Sequence, residues 1–223
     1  SGAAAAYSLR KLSNSYTGSA VRVQRADNVG GTTDIGFNAD GGLDTDALTT
    51  AAAGNSMVVT TWFDQSGSGN DATQGTSANR PKIYDGTTGV IVENGVAAMS
   101  MDYHFLMTSA INTNTFSIFA VGRSSGDSYF MNRNGGNNQV RINEGGIYYL
   151  SVYPSPKSSD AGTTYTQQLA AYIGNSSTFR FFQNSTAIGT AAVHTINQDV
   201  IGGFTNGTQP TTMFYQELVV YTS

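Results

Sequence analysis

The stretch "AVRVQR", Ala20 to Arg25, alternates strictly. Val21 and Val23 fall on one face and Arg22 and Gln24 on the other, the two-residue period of a half-buried strand. "MVVTTWF", from Met57 to Phe63, is more continuously apolar and predicts a second strand. Downstream, short apolar runs separated by turn residues predict strands at Lys82–Tyr84, Gly89–Glu93, Ala97–Met101, Phe116–Arg123, Ser128–Asn132 and Gln139–Asn143. The same pattern continues at Ile147–Tyr153, Gln167–Ile173, Thr178–Gln183, Thr186–Ala192, Asp199–Gly202 and Met213–Tyr221. Two segments read as helical. Ala3 to Asn14 is Ala-rich, with Tyr7, Leu9, Leu12 and Tyr16 as the apolar positions, and predicts a short helix ending near Gly18. Asp44 or Thr45 caps a second through "DALTTAAAG", with Gly54 as its stop. "SVYPSPKSSDAGTT" is too long for a hairpin turn and reads as a lid or rim over one sheet.

No repeat of fixed period and no linker interrupts this pattern. It predicts one all-β domain over residues 1–223, a sandwich or jelly roll with one or two short helices near the N-terminus. Composition agrees: at 12% charged residues, charged helix surfaces cannot dominate, and the Tyr and Phe content suits strands. A chain of 223 residues buries enough surface to fold without staples. The absence of cysteine excludes disulfides, thiolate metal sites and a Cys nucleophile. A net charge of -4, with Lys and Arg scattered, argues against nucleic acid as a partner. No apolar run approaches the roughly 20 residues that span a bilayer, and "SGAAAAY" lacks the regions of a signal peptide. The chain reads as a mature or excised soluble domain.

Candidate chemistry concentrates in "TTWFDQSGSGNDATQ", Thr60 to Gln74, where a strand gives way to a small polar loop holding Asp64 and Asp71. Asp64, Ser66, Ser68 and Gly69 occupy the first, third, fifth and sixth places of an EF-hand loop. The twelfth place is Gly75, where a bidentate Glu is needed. A calcium site of another kind, using Asp64, Asp71 and backbone carbonyls, stays open beside local hydrogen bonding by Asp64 and Asn70. The two histidines, His104 and His194, lack a nucleophile elbow and read as surface or rim residues. Glu93, Glu144 and Glu217 form no paired acidic motif of the kind glycosidases require. Sugar binding needs only aromatic rings with amides and carboxylates at a rim. Trp62, Asp64, Asn70, Asp71, Tyr148, Tyr149 and Tyr153 are the candidate residues for it.

"AYSLRKLSNSYTGSAVRVQR" followed by "TTWFDQSGSGNDATQ" resembles the N-terminal part of the α-L-arabinofuranosidase B catalytic domain. The same two segments are similar to domains of bacteriophage virion and tail-fibre proteins. The resemblance is specific over Tyr7 to Gln74 and weakens beyond it to a general concanavalin A-like pattern. It implies a concanavalin-like jelly roll, placed extracellularly or on a virion surface. It also implies where hydrolytic acids would stand. The nucleophile place falls on Asn143 of "VRINEGG", with Arg141 as its neighbour and Glu144 one residue off. The acid/base place falls on Phe204 of "IGGFTNG". A one-residue shift turns a side chain to the opposite face unless a bulge restores it. The expectation is therefore a catalytically silent module with no obligate cofactor, recognising a cell-surface glycan or other virion proteins, with homo-oligomers open. A purely structural capsid-decoration or fibre domain without a glycan ligand and an arabinofuranosidase acting through Glu144 are the alternatives.

Overall fold

The computed structural model describes residues 2–124, 128–133, 138–143, 147–152, 155–160, 168–175, 178–192, 196–202 and 213–222. Within them one antiparallel pairing network runs around the molecule. One series places Ala3–Ser8, Met213–Thr222, Phe116–Ser124, Gln168–Gly174, Thr178–Gln183 and Thr186–Ala192 side by side. The other begins with Thr33–Ile35, Val21–Arg25 and Met57–Trp62. It continues through the short Ala72–Thr73 strand to Phe105–Thr113 and Ile196–Gly202. From there it passes through Ser128–Asn132, Asn138–Asn143 and Ile147–Val152 to Ser155–Asp160. Lys82–Asp85 pairs with Met57–Trp62, and Met99–Ser100 pairs with both Lys82–Asp85 and Met213–Thr222, which joins the two series at one corner. This is the expected jelly-roll β-sandwich.

The Phe116–Ser124 strand shows why these sequences form this fold. Phe116, Ile118, Ala120, Gly122 and Ser124 are buried, while Ser117, Phe119, Val121 and Arg123 between them are only half-buried. A pleated strand sends successive side chains to opposite faces, so this period-two burial marks a sheet with one face on the core. Between the two series runs a chain of rings: Tyr7 on Trp62 at 5.6 Å, Trp62 on Tyr215 at 6.2 Å, Tyr215 on Phe130 at 5.5 Å and Phe130 on Tyr172 at 6.3 Å. All but the first of these contacts are edge-to-face, a geometry that adds about 0.5–1.5 kcal/mol per pair beyond area burial.

The expected second helix is present as Thr45–Ala52. The Asp44 side chain accepts the Ala47 N–H as its cap, and Ala53 and Gly54 leave the helix at positive φ. The expected first helix is absent. Ala3–Ser8 is a strand, buried from Ala5 to Ser8, because it completes the edge of Met213–Thr222. Alanine's helix preference is a few tenths of a kcal/mol per residue at most, and tertiary pairing overrides it. Of the stretch expected as a lid or rim, residues 153–154 and 161–164 lie outside the described residues. Ser155–Asp160 is a strand paired with Ile147–Val152, while Tyr153 lies outside the described residues. Phe105–Thr113 went unpredicted because its pattern breaks at "TSA", where its register against Ile196–Gly202 shifts. Among the described residues, no helix is long and apolar enough to cross a membrane.

Candidate functional site

The loop after Met57–Trp62 is organised by the Asp64 carboxylate. Oδ1 accepts the N–H of Ala6 and of Ser66, each at 2.8 Å, and Oδ2 accepts the Ser66 hydroxyl at 2.8 Å and the Asn70 N–H at 3.0 Å. Asp71 Oδ1 in turn accepts the Asp64 N–H at 2.9 Å. Gln65 adds a second anchor: its Oε1 accepts the Leu12 N–H, and its Nε2 donates to the carbonyls of Ser8 and Arg10. Asn70 donates to the Ala4 carbonyl, and its own carbonyl accepts the hydroxyls of Tyr7 and Thr108. The loop thus clamps the N-terminal strand to the body of the sheet.

This geometry corrects two expectations. Asp64 is only 5% exposed and all four of its near lone-pair directions are occupied by protein donors, so it does not present itself as a ligand for calcium or for a sugar. Trp62 has no exposed surface and packs between Tyr7 and Tyr215, so it is a core residue and not a stacking platform. Burial also holds the Tyr7 phenol far above its ordinary range, outweighing the Thr108 hydrogen bond that favours ionisation. Of the remaining candidates, Asn70 is half-buried and engaged as described, and Asp71 is exposed. Tyr148 and Tyr149 pair along the backbone with Ser159 and Ser158. Along the pairing order five strands stand between their strand and Met57–Trp62, and Tyr153 lies outside the described residues. Among the described residues no group of three or more metal-ligating side chains forms.

His104, expected at the surface or a rim, is half-buried; its Nδ1 is fully buried with no hydrogen-bond partner among the described residues, and burial lowers its pKa. His194, Glu144 and Phe204 lie outside the described residues. Glu217 faces away from the core-facing Leu218. It forms a two-point ion pair with Arg10, Nε to Oε2 at 2.7 Å and Nη2 to Oε1 at 3.1 Å, and accepts the Ser8 hydroxyl.

A second region, which the sequence pattern did not single out, lies next to the clamp. A cleft of about 520 Å³ opens between residues 11–19 and 36–41. Its aromatic wall is Tyr16 edge-on to Phe37 at 6.2 Å. Tyr16 is held in place by its hydroxyl donating to the Ser19 carbonyl at 2.9 Å. Asn38 shapes the opposite rim, its Oδ1 accepting the N–H of Asp40 and of Gly42, with Gly41 at φ 82 in the left-handed region. The signals were present as two turn-rich stretches, "SYTGS" and "GFNADGG", each carrying one aromatic. Only the pairing of Val21–Arg25 with Thr33–Ile35 brings them together.

On the Asn138–Asn143 strand the register is irregular. Ser128 pairs with Asn143 but Tyr129 pairs with Arg141, leaving Ile142 as an extra, bulged residue.

The family model described as "Alpha-L-arabinofuranosidase B, catalytic" matches residues 1–153. Among solved structures, a GH54 α-L-arabinofuranosidase soaked with a cyclic sulfate inhibitor superposes with a TM-score of 0.76 at 17% identity, covering 99% of this chain and 60% of its own. An arabinofuranosidase complexed with arabinofuranosyl-α-1,2-xylobiose gives 0.73 at 17% identity, covering 99% of this chain and 59% of its own. The chain therefore spans about 60% of the length of these structures, and at this identity they show the fold. The curated proteins contain no match to the sequence.

Proposed function

Because the chain belongs to the α-L-arabinofuranosidase B catalytic-domain family, we propose that it is a carbohydrate-recognition module of that family which binds a glycan without cleaving it. The observation that carries this reading is the pairing of a family-matched scaffold with altered chemistry. The family match covers residues 1–153, yet the places that the resemblance assigns to the two hydrolytic acids hold Asn143 and Phe204. An amide cannot serve as the carboxylate nucleophile, and a phenyl ring cannot transfer the proton that glycoside cleavage needs. The test is an array of neutral and acidic glycans probed with the purified domain, with and without calcium. Selective binding supports the reading; a blank array removes it.

We extend this reading to a surface module of a phage particle, supported by the resemblance of residues 6–25 and 60–74 to virion and tail-fibre domains. A partner in such a particle, or a second copy of the chain, would cover the outward apolar side chains of Phe119, Leu169, Ile173 and Tyr221. Antibodies against the domain should label purified particles, and their failure to do so would withdraw the virion placement while leaving glycan binding intact.

A residual arabinofuranosidase using Glu144 is the second reading, and the bulge at Ile142 favours it. A bulge interrupts the alternation of faces, so a one-residue offset from the nucleophile place no longer dictates the opposite face. Release of nitrophenol from 4-nitrophenyl α-L-arabinofuranoside, lost in Glu144→Gln, would establish it. No release from the wild type ends it.

A further inference from the structure

The polar side chains of the two loop regions are used in opposite ways. In the clamp, Asp64, Gln65 and Asn70 spend their hydrogen-bonding groups on the N-terminal segment from Ala4 to Leu12 and on the loop itself. In the neighbouring cleft, the side chains of Lys11, Asn14, Thr17 and Asp40 make no hydrogen bond or ion pair with any described residue. The Asn38 amide nitrogen is likewise uncommitted, although its oxygen is fully engaged. These groups surround the pinned ring of Tyr16 and its partner Phe37.

We infer that this cleft, and not the Asp64–Asp71 loop, is where the protein takes its sugar, and that its ligand is a neutral saccharide unit with adjacent free hydroxyls. The inference rests on the carbohydrate-recognition reading above and gives it a site. An aromatic wall receives the apolar C–H face of a sugar ring, while a carboxylate accepts two neighbouring hydroxyls and amides both donate and accept. One ammonium and one carboxylate balance each other, which favours an uncharged ligand over a sialylated or sulfated one. The mainly polar lining disfavours an apolar molecule. The volume falls within the roughly 300–1,000 Å³ typical of small-ligand sites, enough for a di- or trisaccharide.

Gly18 is the specific lever. A Cβ there would stand 2.5 Å from the Tyr16 hydroxyl oxygen and 2.7 Å from its Cζ, and it meets no backbone atom among its nearest contacts. Gly18→Ala therefore leaves the chain path unobstructed but forces the Tyr16 ring out of its position.

The test uses the 15N-labelled domain titrated with arabinofuranosyl-α-1,2-xylobiose and with the strongest neutral hit from the glycan array. Amide shifts should concentrate in residues 11–19 and 36–42. Tyr16→Ala and Asp40→Asn should each weaken binding at least tenfold. Gly18→Ala should weaken it while lowering the melting temperature no more than Tyr16→Ala does, and Tyr16→Phe, which keeps the ring, should bind more tightly than Tyr16→Ala. Binding that shifts residues elsewhere, or that survives Tyr16→Ala and Asp40→Asn undiminished, overturns the site while leaving glycan recognition standing. A wild-type domain that binds neither probe overturns both.

Discussion

At the scale of single residues, Asp64 is the hub of the molecule's first 75 positions. Replacing it with Ala removes the acceptor from four donors, three of them backbone N–H groups, of which that of Ala6 is buried. Asp64→Ala should cost about 2–4 kcal/mol in urea unfolding, and Asp71→Ala, which frees only the Asp64 N–H, about 1 kcal/mol. A double-mutant cycle should show coupling, because the two carboxylates support one loop. An Asp64→Ala protein as stable as wild type would mean that the clamp is ornamental. Trp62, the single tryptophan, supplies an internal reporter. Its emission should be that of a fully buried indole and should not change when a glycan binds. A glycan-dependent shift would return Trp62 to the site. That the Asp64–Asp71 segment forms a locally bonded loop was legible from its Asp, Ser, Gly and Asn content. That one of its acids would reach an N–H 58 residues earlier was not, because only tertiary pairing brings Ala6 there.

At the scale of elements, the Met213–Thr222 strand is the keystone, flanked by Ala3–Ser8 and Phe116–Ser124 and touched at its start by Met99–Ser100. The contact is closest at Gly122, where a Cβ would lie 2.7 Å from the Phe214 carbonyl oxygen and 2.9 Å from Met213 Cε. Gly122→Ala should destabilise by about 1–3 kcal/mol, since the nearest obstacle is backbone that cannot turn aside. Thermal unfolding checks it, and a melting temperature equal to wild type would show that the strand pair has slack. Strands such as Phe116–Ser124 and Met213–Thr222 were legible from apolar runs bounded by turn residues. Ala3–Ser8 was not, because its alanines carry no strand signature and its conformation is imposed by the partner strand.

At the scale of the whole molecule, the titrating groups set a pH window. Burial holds His104 below its ordinary 6.5, opposed by the nearby Asp102 and reinforced by Lys82. The unfolded chain therefore binds this proton first as pH falls, so the stability carried by the neutral imidazole is present above pH 6.5 and is lost below it. Asp34, lowered by its hydrogen bond from Arg22, and Asp85, lowered by the Thr87 N–H and Lys82, act in the same direction from their ordinary 3.8 downward. Tyr7 and Tyr215 are raised by burial, so the unfolded chain ionises first above pH 10 and stability falls there. Unfolding free energy should thus form a plateau from about pH 7 to about pH 9.5. His104→Gln should flatten the acid shoulder between about pH 7 and 5, and an unchanged slope would assign that shoulder to other groups.

Fold class, the capped Thr45–Ala52 helix and most strands follow from the sequence alone, because burial of one face imprints a period on the chain that survives without coordinates. The rejection of Trp62 as a sugar platform, the saturation of Asp64 and the meeting of Tyr16 with Phe37 were decided only by tertiary structure. In each case the outcome depends on partners distant in sequence, and a side chain's type does not disclose whether its polar atoms are already taken.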